Sequence, residues 1–321
     1  MSHQLMSKTP TLPAALSQLA SSQQGILTTE NATAVVSSNT LANIVRSGQL
    51  LRLWRGIYVV PGWTDTTEAR LRAAELTLGR PVVACLHSAA ALHGFDIAGD
   101  GAVHVLAPEP WGSRRPGLVL HRRLVTSPLV EVGGRLVTDP RETALCIAAL
   151  QKQPPRVLAV LDAALRSGTV ADAQALVEFA DRLSVNRIRK VRPIAPWADS
   201  RAESPPESWL RWAILDAGLP PPVPQVTVLT AAGRVRRLDL GWPEYRVGCE
   251  FDGVAFHTGE ALHRDRVRMN DLTGTDWRSL YITNRMIWHE RVPMLARIEA
   301  LLRSRGWRPG MNTVGPQTAG S

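Results

Sequence analysis

Lysine is almost missing from this chain. Three occur in 321 residues, Lys8, Lys152 and Lys190, although Lys and Arg together number 37. Beyond position 190 there is none, so no C-terminal chemistry can rest on an ammonium group. Cysteine is scarce as well. Cys85, Cys146 and Cys249 stand far apart without a CxxC pair, which excludes a disulfide framework and a thiolate zinc site. No apolar run reaches the roughly 18 residues that a membrane-spanning helix needs. The opening MSHQLMSKTPTLPAAL lacks the basic start and apolar stretch of a signal peptide. No internal repeat or low-complexity tract is found. These absences set the expectation of a soluble, cytoplasmic protein with no membrane partner.

What is present points toward polyanions. The formal net charge is +9 and the pI about 10.4. A balance of this size favours nucleic acid as a partner, though it speaks to association and not to fold. Arginine suits bidentate phosphate contacts; an Arg-for-Lys bias also follows from a GC-rich genome. At 321 residues the length allows roughly two domains of about 150 residues. Hydrophobic residues make up 45% of the chain, enough for packed cores.

The N-terminal pattern is three short helices and a basic hairpin. After a loose start, apolar spacing is helical from Leu12 to about Leu27. Thr28-Thr29-Glu30 offers a cap for a second helix running to Val36. SSNT, residues 37 to 40, caps a third, LANIVRSG, with Leu41, Ile44 and Val45 on one face. LLRLWRGIYVVPG then alternates around Trp54-Arg55-Gly56, as a hairpin does. The whole predicts a winged helix-turn-helix over residues 10–62. Its third helix would enter a major groove with Asn39, Asn43, Arg46 and Ser47 available to bases, while Arg52 and Arg55 sit on the wing. Small modules of this kind also serve as protein-docking units.

Residues 63–187 form a mixed α/β middle region. TEARLRAAELTLG reads as a helix and PVVACLHSAAALHGF as a strand leading into a helix. GAVHVLAP, GLVLHRR and GRLVTD are short strands, and a helical section runs from Pro140 to about Val185. His87, His93, His104 and His121 lack the spacing of a helical metal motif and are expected to be structural. The Pro- and Arg-rich stretch 188–203 is the expected linker, and residues 308–321 the expected disordered tail.

From residue 204 to 307 the pattern tightens. SPPESWLRWAILDAGL reads as an amphipathic helix with Pro at its first turn, Gly218 at its end and Glu207 in the first turn. PQVTVL, GRVRRLDLGW and RVGCEFDG are three successive strands. HTGEALHRDRVRMNDL predicts a basic helix, WRSLYIT a further strand and RVPMLARIEALLRSRGW a closing helix. Acids are depleted in strands, yet CEFDGVAFH carries Glu250 and Asp252. A turn centred between Glu244 and Tyr245 sets Asp239 opposite Glu250, and Asp252 shares that face by alternation. Three carboxylates crowding one patch repel one another, and a divalent cation would relieve them. Two plainer readings stand beside this one: Asp239 pairs with Arg237 or another of the many arginines, or Asp252-Gly253 is simply a turn that ends the strand.

Two resemblances follow from these motifs. SPPESWLRWAILDAGL, RRLDLGWPEYRVGCEFDG, His257, RDRVRMNDL and WRSLYIT, over residues 203 to 307, resemble a very-short-patch-repair-like endonuclease group. That group is a bacterial domain of unknown function within the PD-(D/E)XK superfamily. The resemblance implies Asp239 and Glu250 as metal ligands and Asp252 as a ligand or near-ligand. It implies Glu207 as an auxiliary helix acid and His257 as general base or leaving-group acid. One departure stands out: Asp252 occupies the place of the superfamily's lysine. RSGQLLRLWRGIYVVPG, PVVACLHSAAALHGF and VTDPRETALCIAAL, over about residues 10 to 170, resemble the AbiEi-type antitoxins of abortive-infection toxin–antitoxin systems. Those are DNA-binding repressors of their own operons.

The expected fold class is therefore α+β or α/β multidomain, with a winged helix-turn-helix, a mixed middle and a restriction-endonuclease-like α/β core. The expected function is a DNA-binding protein with a metal-dependent endonuclease domain using Mg²⁺ or Mn²⁺. In that reading Arg236, Arg264 and Arg268 would neutralise phosphates, and Trp277 and Trp288 would stack on bases or belong to the core. The alternative is a non-catalytic antitoxin-like repressor with a degenerate nuclease fold; an adaptor acting only through proteins fits the charge least well. The expected partners are double-stranded DNA and, by the second resemblance, a toxin.

Overall fold

In the computed structural model the described residues are 12–107, 116–122, 127–230, 233–252 and 274–310. The chain divides into two compact units, Met1–Leu92 with Ala98–Asp139, and His93–Ile97 with Pro140–Ser321. Among the described residues no helix is long and apolar enough to cross a membrane.

The first unit opens with α1 (Ala14–Ser22), β1 (Ile26–Thr28), α2 (Thr29–Thr33) and α3 (Ser38–Arg46). Polar side chains set the helix starts. The Thr28 hydroxyl accepts the Asn31 N–H at 3.0 Å while Asn31 Oδ1 accepts the Thr28 N–H at 2.8 Å, a reciprocal cap. Ser37 accepts the Thr40 N–H at the start of α3. The hairpin β2 (Leu51–Trp54) and β3 (Ile57–Val59) turns at Arg55-Gly56, where φ of +83° requires glycine. β1 pairs antiparallel with β3, giving the order β1-β3-β2. The first predicted helix thus stops at Ser22 and its last residues become a strand. Leu16, Leu27, Leu41, Ile44 and Leu50 fill the core beneath.

In the same unit follow α4 (Thr67–Leu78), β4 (Val83–Ala84), α5 (Leu86–Leu92), β5 (Val103–Leu106), β6 (Leu118–His121), β7 (Val130–Val132) and β8 (Arg135–Val137). The five strands make a mixed sheet in the order β6-β5-β4-β8-β7. Leu71, Ala74 and Leu78 of α4 and Ala89 of α5 pack on Ala84, Val103, Val105 and Val137.

The second unit begins with α6 (Pro140–Leu150), α7 (Pro154–Arg166) and α8 (Ala173–Arg182). The run from Val157 to Leu165 is buried, including Asp162 at 0% exposure. Asp162 is tolerated because Arg211 Nη2 meets both of its carboxylate oxygens at 2.7 Å and the Asp199 N–H donates at 2.8 Å. Burial pushes this carboxyl upward, against the pull of Arg211, Ser208 and the Asp199 amide. The stretch 188–203, expected as a linker, is packed. It forms two 3₁₀ turns (Ile188–Lys190 and Ala195–Trp197) and buries Ile188, Val191, Ile194, Ala195 and Ala202. Prolines there shape turns, and the apolar residues between them reach the helices.

Next come α9 (Pro205–Asp216), β9 (Val223–Leu229), β10 (Val235–Trp242), β11 (Val247–Asp252), β12 (Arg278–Thr283), α10 (Asn284–His289) and α11 (Arg291–Ser304). The sheet order is β12-β11-β10-β9, with β9, β10 and β11 antiparallel and β12 parallel to β11. One cluster joins Leu210 and Ile214 of α9, Ile287 of α10 and Met294, Ile298 and Leu302 of α11 with Leu240, Trp242, Val247, Cys249 and Ile282 of the sheet. Val226, Val228 and Leu238 form a smaller cluster with Trp277 against them. Trp277 and Trp288 are both partly buried and packed, the second edge-on to Trp209 with ring centroids 5.3 Å apart. The basic helix expected over HTGEALHRDRVRMNDL lies outside the described residues.

Candidate functional site

The acids of the C-terminal sheet occupy a strained, hydrogen-bonded corner. The turn at residues 243–246 leads into pairs Trp242–Val247, Gly241–Gly248 and Leu240–Cys249. Carried one step further, that offset sets Asp239 opposite Glu250. There Asp239 Oδ2 accepts the Phe251 N–H at 2.7 Å, so a side chain meets the neighbouring strand's backbone. Glu250 is buried at 4% exposure, while Asp239 and Asp252 are half-buried. Asp239 and Glu250 both push up the thiol of the intervening Cys249. Together with its burial, the larger cause, they raise it to about 12 and keep it protonated.

Glu207 stands close enough to feel Asp239. Burial first, then the Asp239 charge, raises its carboxyl above the ordinary glutamate value, while three donors partly offset this. Those donors occupy both oxygens. The Ser204 hydroxyl donates to Oε1 at 2.7 Å; the Glu203 N–H and Gln225 Nε2 donate to Oε2 at 2.9 and 2.7 Å. Glu207, in the first turn of α9, therefore ties the segment entering the helix and strand β9 to that turn. Gln225 was not singled out by sequence reasoning. It lies on β9 between Pro224, opposite Leu240, and Val226, opposite Leu238, with φ at +57°. A non-glycine residue held there is strained, and such residues cluster at functional sites. Its only signal in the sequence was an amide inside an apolar strand, PQVTVL.

Asp239, Glu250 and Asp252 were expected to share one patch. Among the described residues no three acids of this sheet have ligand atoms all within 4.8 Å of one another. Asp252 ends β11, opposite Thr283. Two carboxylates are the usual protein share of a Mg²⁺ site, and Asp239 and Glu250, at facing positions of β10 and β11, are the pair that would supply them. Arg236 is half-buried on β10, and Arg237 pairs with Glu203 at 2.7 Å. His257, Arg264 and Arg268 lie outside the described residues.

A second candidate surface lies in the first unit. Asn39, Asn43 and Arg46 on α3, and Ser47 at its C-cap, are all exposed, while Leu41 and Ile44 are buried. Arg46 Nη1 donates to Asn43 Oδ1 at 2.6 Å, which holds both side chains on the same face. Arg52 and Arg55 are exposed on the hairpin.

Fold and sites together describe an α+β multidomain protein with a helical N-terminal module, a mixed five-stranded middle and a four-stranded C-terminal sheet. Residues 82–199 match the AbiEi antitoxin C-terminal domain. The match extends beyond residue 170, through the end of α8 and into the packed 188–199 stretch. Two proteins of Mycobacterium tuberculosis, from strains CDC 1551 / Oshkosh and ATCC 25618 / H37Rv and each described as uncharacterized, are 36% identical over 255 residues. The alignments cover 79% of this chain and 93% of each relative. This chain belongs to their family.

Proposed function

We propose that the protein is a DNA-binding, antitoxin-like regulator, with double-stranded DNA as its ligand and a toxin as its protein partner. The observation that carries the reading is the exposed polar face of α3. A surface helix with Leu41 and Ile44 inward presents Asn43 and Arg46 outward, beside the exposed Arg52 and Arg55 of the hairpin. Asn and Arg are the side chains that read adenine and guanine edges bidentately, and hairpin arginines suit backbone phosphates. In this reading the three helices and hairpin act as a winged helix. The likeness of residues 82–199 to the AbiEi antitoxin C-terminal domain and the +9 charge support it. The test is a fluorescence anisotropy titration of the full chain against the DNA upstream of its own gene and against shuffled DNA of the same length. Regulator function requires upstream DNA to bind at least about tenfold tighter, and equal binding to both would end the proposal.

A second reading, a metal-dependent endonuclease in the C-terminal sheet, is favoured by one observation. Asp239 and Glu250 sit across adjacent strands and both act electrostatically on Cys249. Those two carboxylates would hold Mg²⁺ or Mn²⁺, which when bound supplies Lewis acidity at a phosphate. Glu207 contributes by fixing α9 against the sheet, since its carboxylate is engaged by three donors. Plasmid cleavage with Mg²⁺ or Mn²⁺, compared between the natural chain and an Asp239→Ala/Glu250→Ala double variant, decides it. Nicking lost in the variant establishes the enzyme. Equal inertness of both, with DNA binding kept, leaves the regulator alone.

A further inference from the structure

Four side chains of the first unit converge beside β5 and β6. They are His87 at the start of α5, Asp100 in the loop before β5, His104 on β5 and His121 on β6. His104 Nε2 lies 2.9 and 3.0 Å from the two Asp100 carboxylate oxygens, and its Nδ1 lies 2.8 Å from His121 Nε2. One ligand atom from each of His87, Asp100 and His104 falls within 4.8 Å of the others. The His87 and His104 ring centroids are 5.3 Å apart.

The scaffold under this group is rigid. The His104 N–H donates to the buried Ser88 hydroxyl at 2.8 Å, and its carbonyl accepts the Cys85 N–H at 3.0 Å. The backbone entering His87 is strained, since Leu86 holds φ at +46° without being glycine. His87 Nδ1 is buried and has no hydrogen-bond partner. A hydrogen-bond chain running His121 to His104 to Asp100 would satisfy three of the four side chains. It leaves the His87 nitrogen unanswered, and buried polar atoms in that state call for an explanation.

We propose that His87, Asp100 and His104 form a three-ligand site for Zn²⁺ or a chemically similar divalent cation such as Co²⁺. His121 is the positioning residue. Two imidazole nitrogens and one carboxylate oxygen are the donors such ions favour, whereas Mg²⁺ and Ca²⁺ prefer all-oxygen shells. Bond lengths of about 2.0–2.2 Å put tetrahedral ligand atoms ~3.4 Å apart, inside the span already present here. On binding, the cation takes the place of the proton between His104 Nε2 and Asp100. The displaced proton leaves to solvent, and the proton shared with His121 moves onto His104 Nδ1. His121 takes one from solvent at its own Nδ1, so that His104 Nδ1–H donates to His121 Nε2 and fixes the liganding tautomer. The fourth position opens toward solvent on the Asp100 side, whose side chain is 51% exposed.

The experiment uses the full chain, stripped with EDTA and dialysed. Zn²⁺ binding is read by calorimetry and Co²⁺ binding by visible absorption. The expected result is one cation per chain, undisturbed by excess Mg²⁺. Asp100→Asn and His104→Gln remove that binding, and His121→Gln weakens it by roughly 10- to 100-fold. Asp100 is at the surface, so its variant tests the site without threatening the core, and circular dichroism verifies that it is folded. The proposal is overturned by natural protein that takes up no Zn²⁺ at micromolar concentration. It is equally overturned if the Asp100→Asn variant binds as tightly as the natural chain, because the cation then sits elsewhere.

Discussion

Gln225 Nε2 donates to Glu207 Oε2 at 2.7 Å, tying the strained strand β9 to the first turn of α9. With the Ser204 hydroxyl and the Glu203 N–H, this bond engages a candidate catalytic acid in joining three segments.

Replacing Glu207 by alanine removes the acceptor from three donors at once. Each buried donor left unmatched costs about 1–3 kcal/mol, and these part-buried donors recover some of it from water. The expected loss is ~2 kcal/mol, read as a lower urea midpoint. DNA affinity of the folded variant is expected to be unchanged, because α3 lies in the other compact unit. A variant as stable as the natural chain would deny Glu207 this joining role.

The buried pair Arg211–Asp162 supports a sharper comparison. Arg211→Met strands a carboxylate that is fully buried, at a cost of ~3–5 kcal/mol. The double replacement Arg211→Met/Asp162→Leu is expected to be milder than the single one, since no uncompensated charge remains. Chemical denaturation of both variants checks the order.

Gly248 has no room for a side chain. A Cβ there would lie 2.6 Å from Leu238 Cδ1, and Leu238 is fully buried. Gly248→Ala is expected to cost roughly 1–3 kcal/mol through overpacking. The companion Gly248→Ala/Leu238→Ala should lack the clash but carry a cavity, and a thermal melt of the pair separates the two effects.

The hydrogen bond from Arg70 holds the Asp65 carboxyl below its ordinary value of 3.8, with Nη2 at 2.7 Å from Oδ2. A depressed folded value means the ion pair stabilises fully above the unfolded value, and that contribution fades as pH falls through the folded one. The natural chain should therefore melt higher than Asp65→Asn at neutral pH, and the gap should close at acid pH below 3.8. A gap that widened on acidification would contradict the assignment.

For DNA, base-facing and backbone-facing residues should behave differently. Asn43→Ala is expected to relax discrimination between operator and shuffled DNA by about 1–3 kcal/mol at one position. Arg52→Ala and Arg55→Ala should weaken both about equally and each lower the salt slope by ~1. Titrations at several salt concentrations distinguish the two patterns.

Much of the local structure was legible in the chain. The caps at Thr28 and Ser37, the glycine at Gly56 and the turn at residues 243–246 that joins β10 to β11 all act within a few residues. Short-range hydrogen bonds and period-two side-chain alternation decide such features, so the Asp239–Glu250 relation could be read from the register alone. The helix that became β1 shows the limit. Ile26 and Leu27 are apolar in either geometry, and pairing with β3 chose the strand.

What only the tertiary structure decided are the long-range meetings. Composition marked residues 188–203 as linker, yet their apolar side chains had helices to bury against. Asp162 and Arg211, 49 positions apart, meet because the ion pair offsets part of the cost of burying either charge. Four residues of ordinary spacing, His87, Asp100, His104 and His121, were gathered by β5, β6 and the start of α5. Sequence spacing records periodicity along one element, whereas a site built from four elements is a property of how they pack.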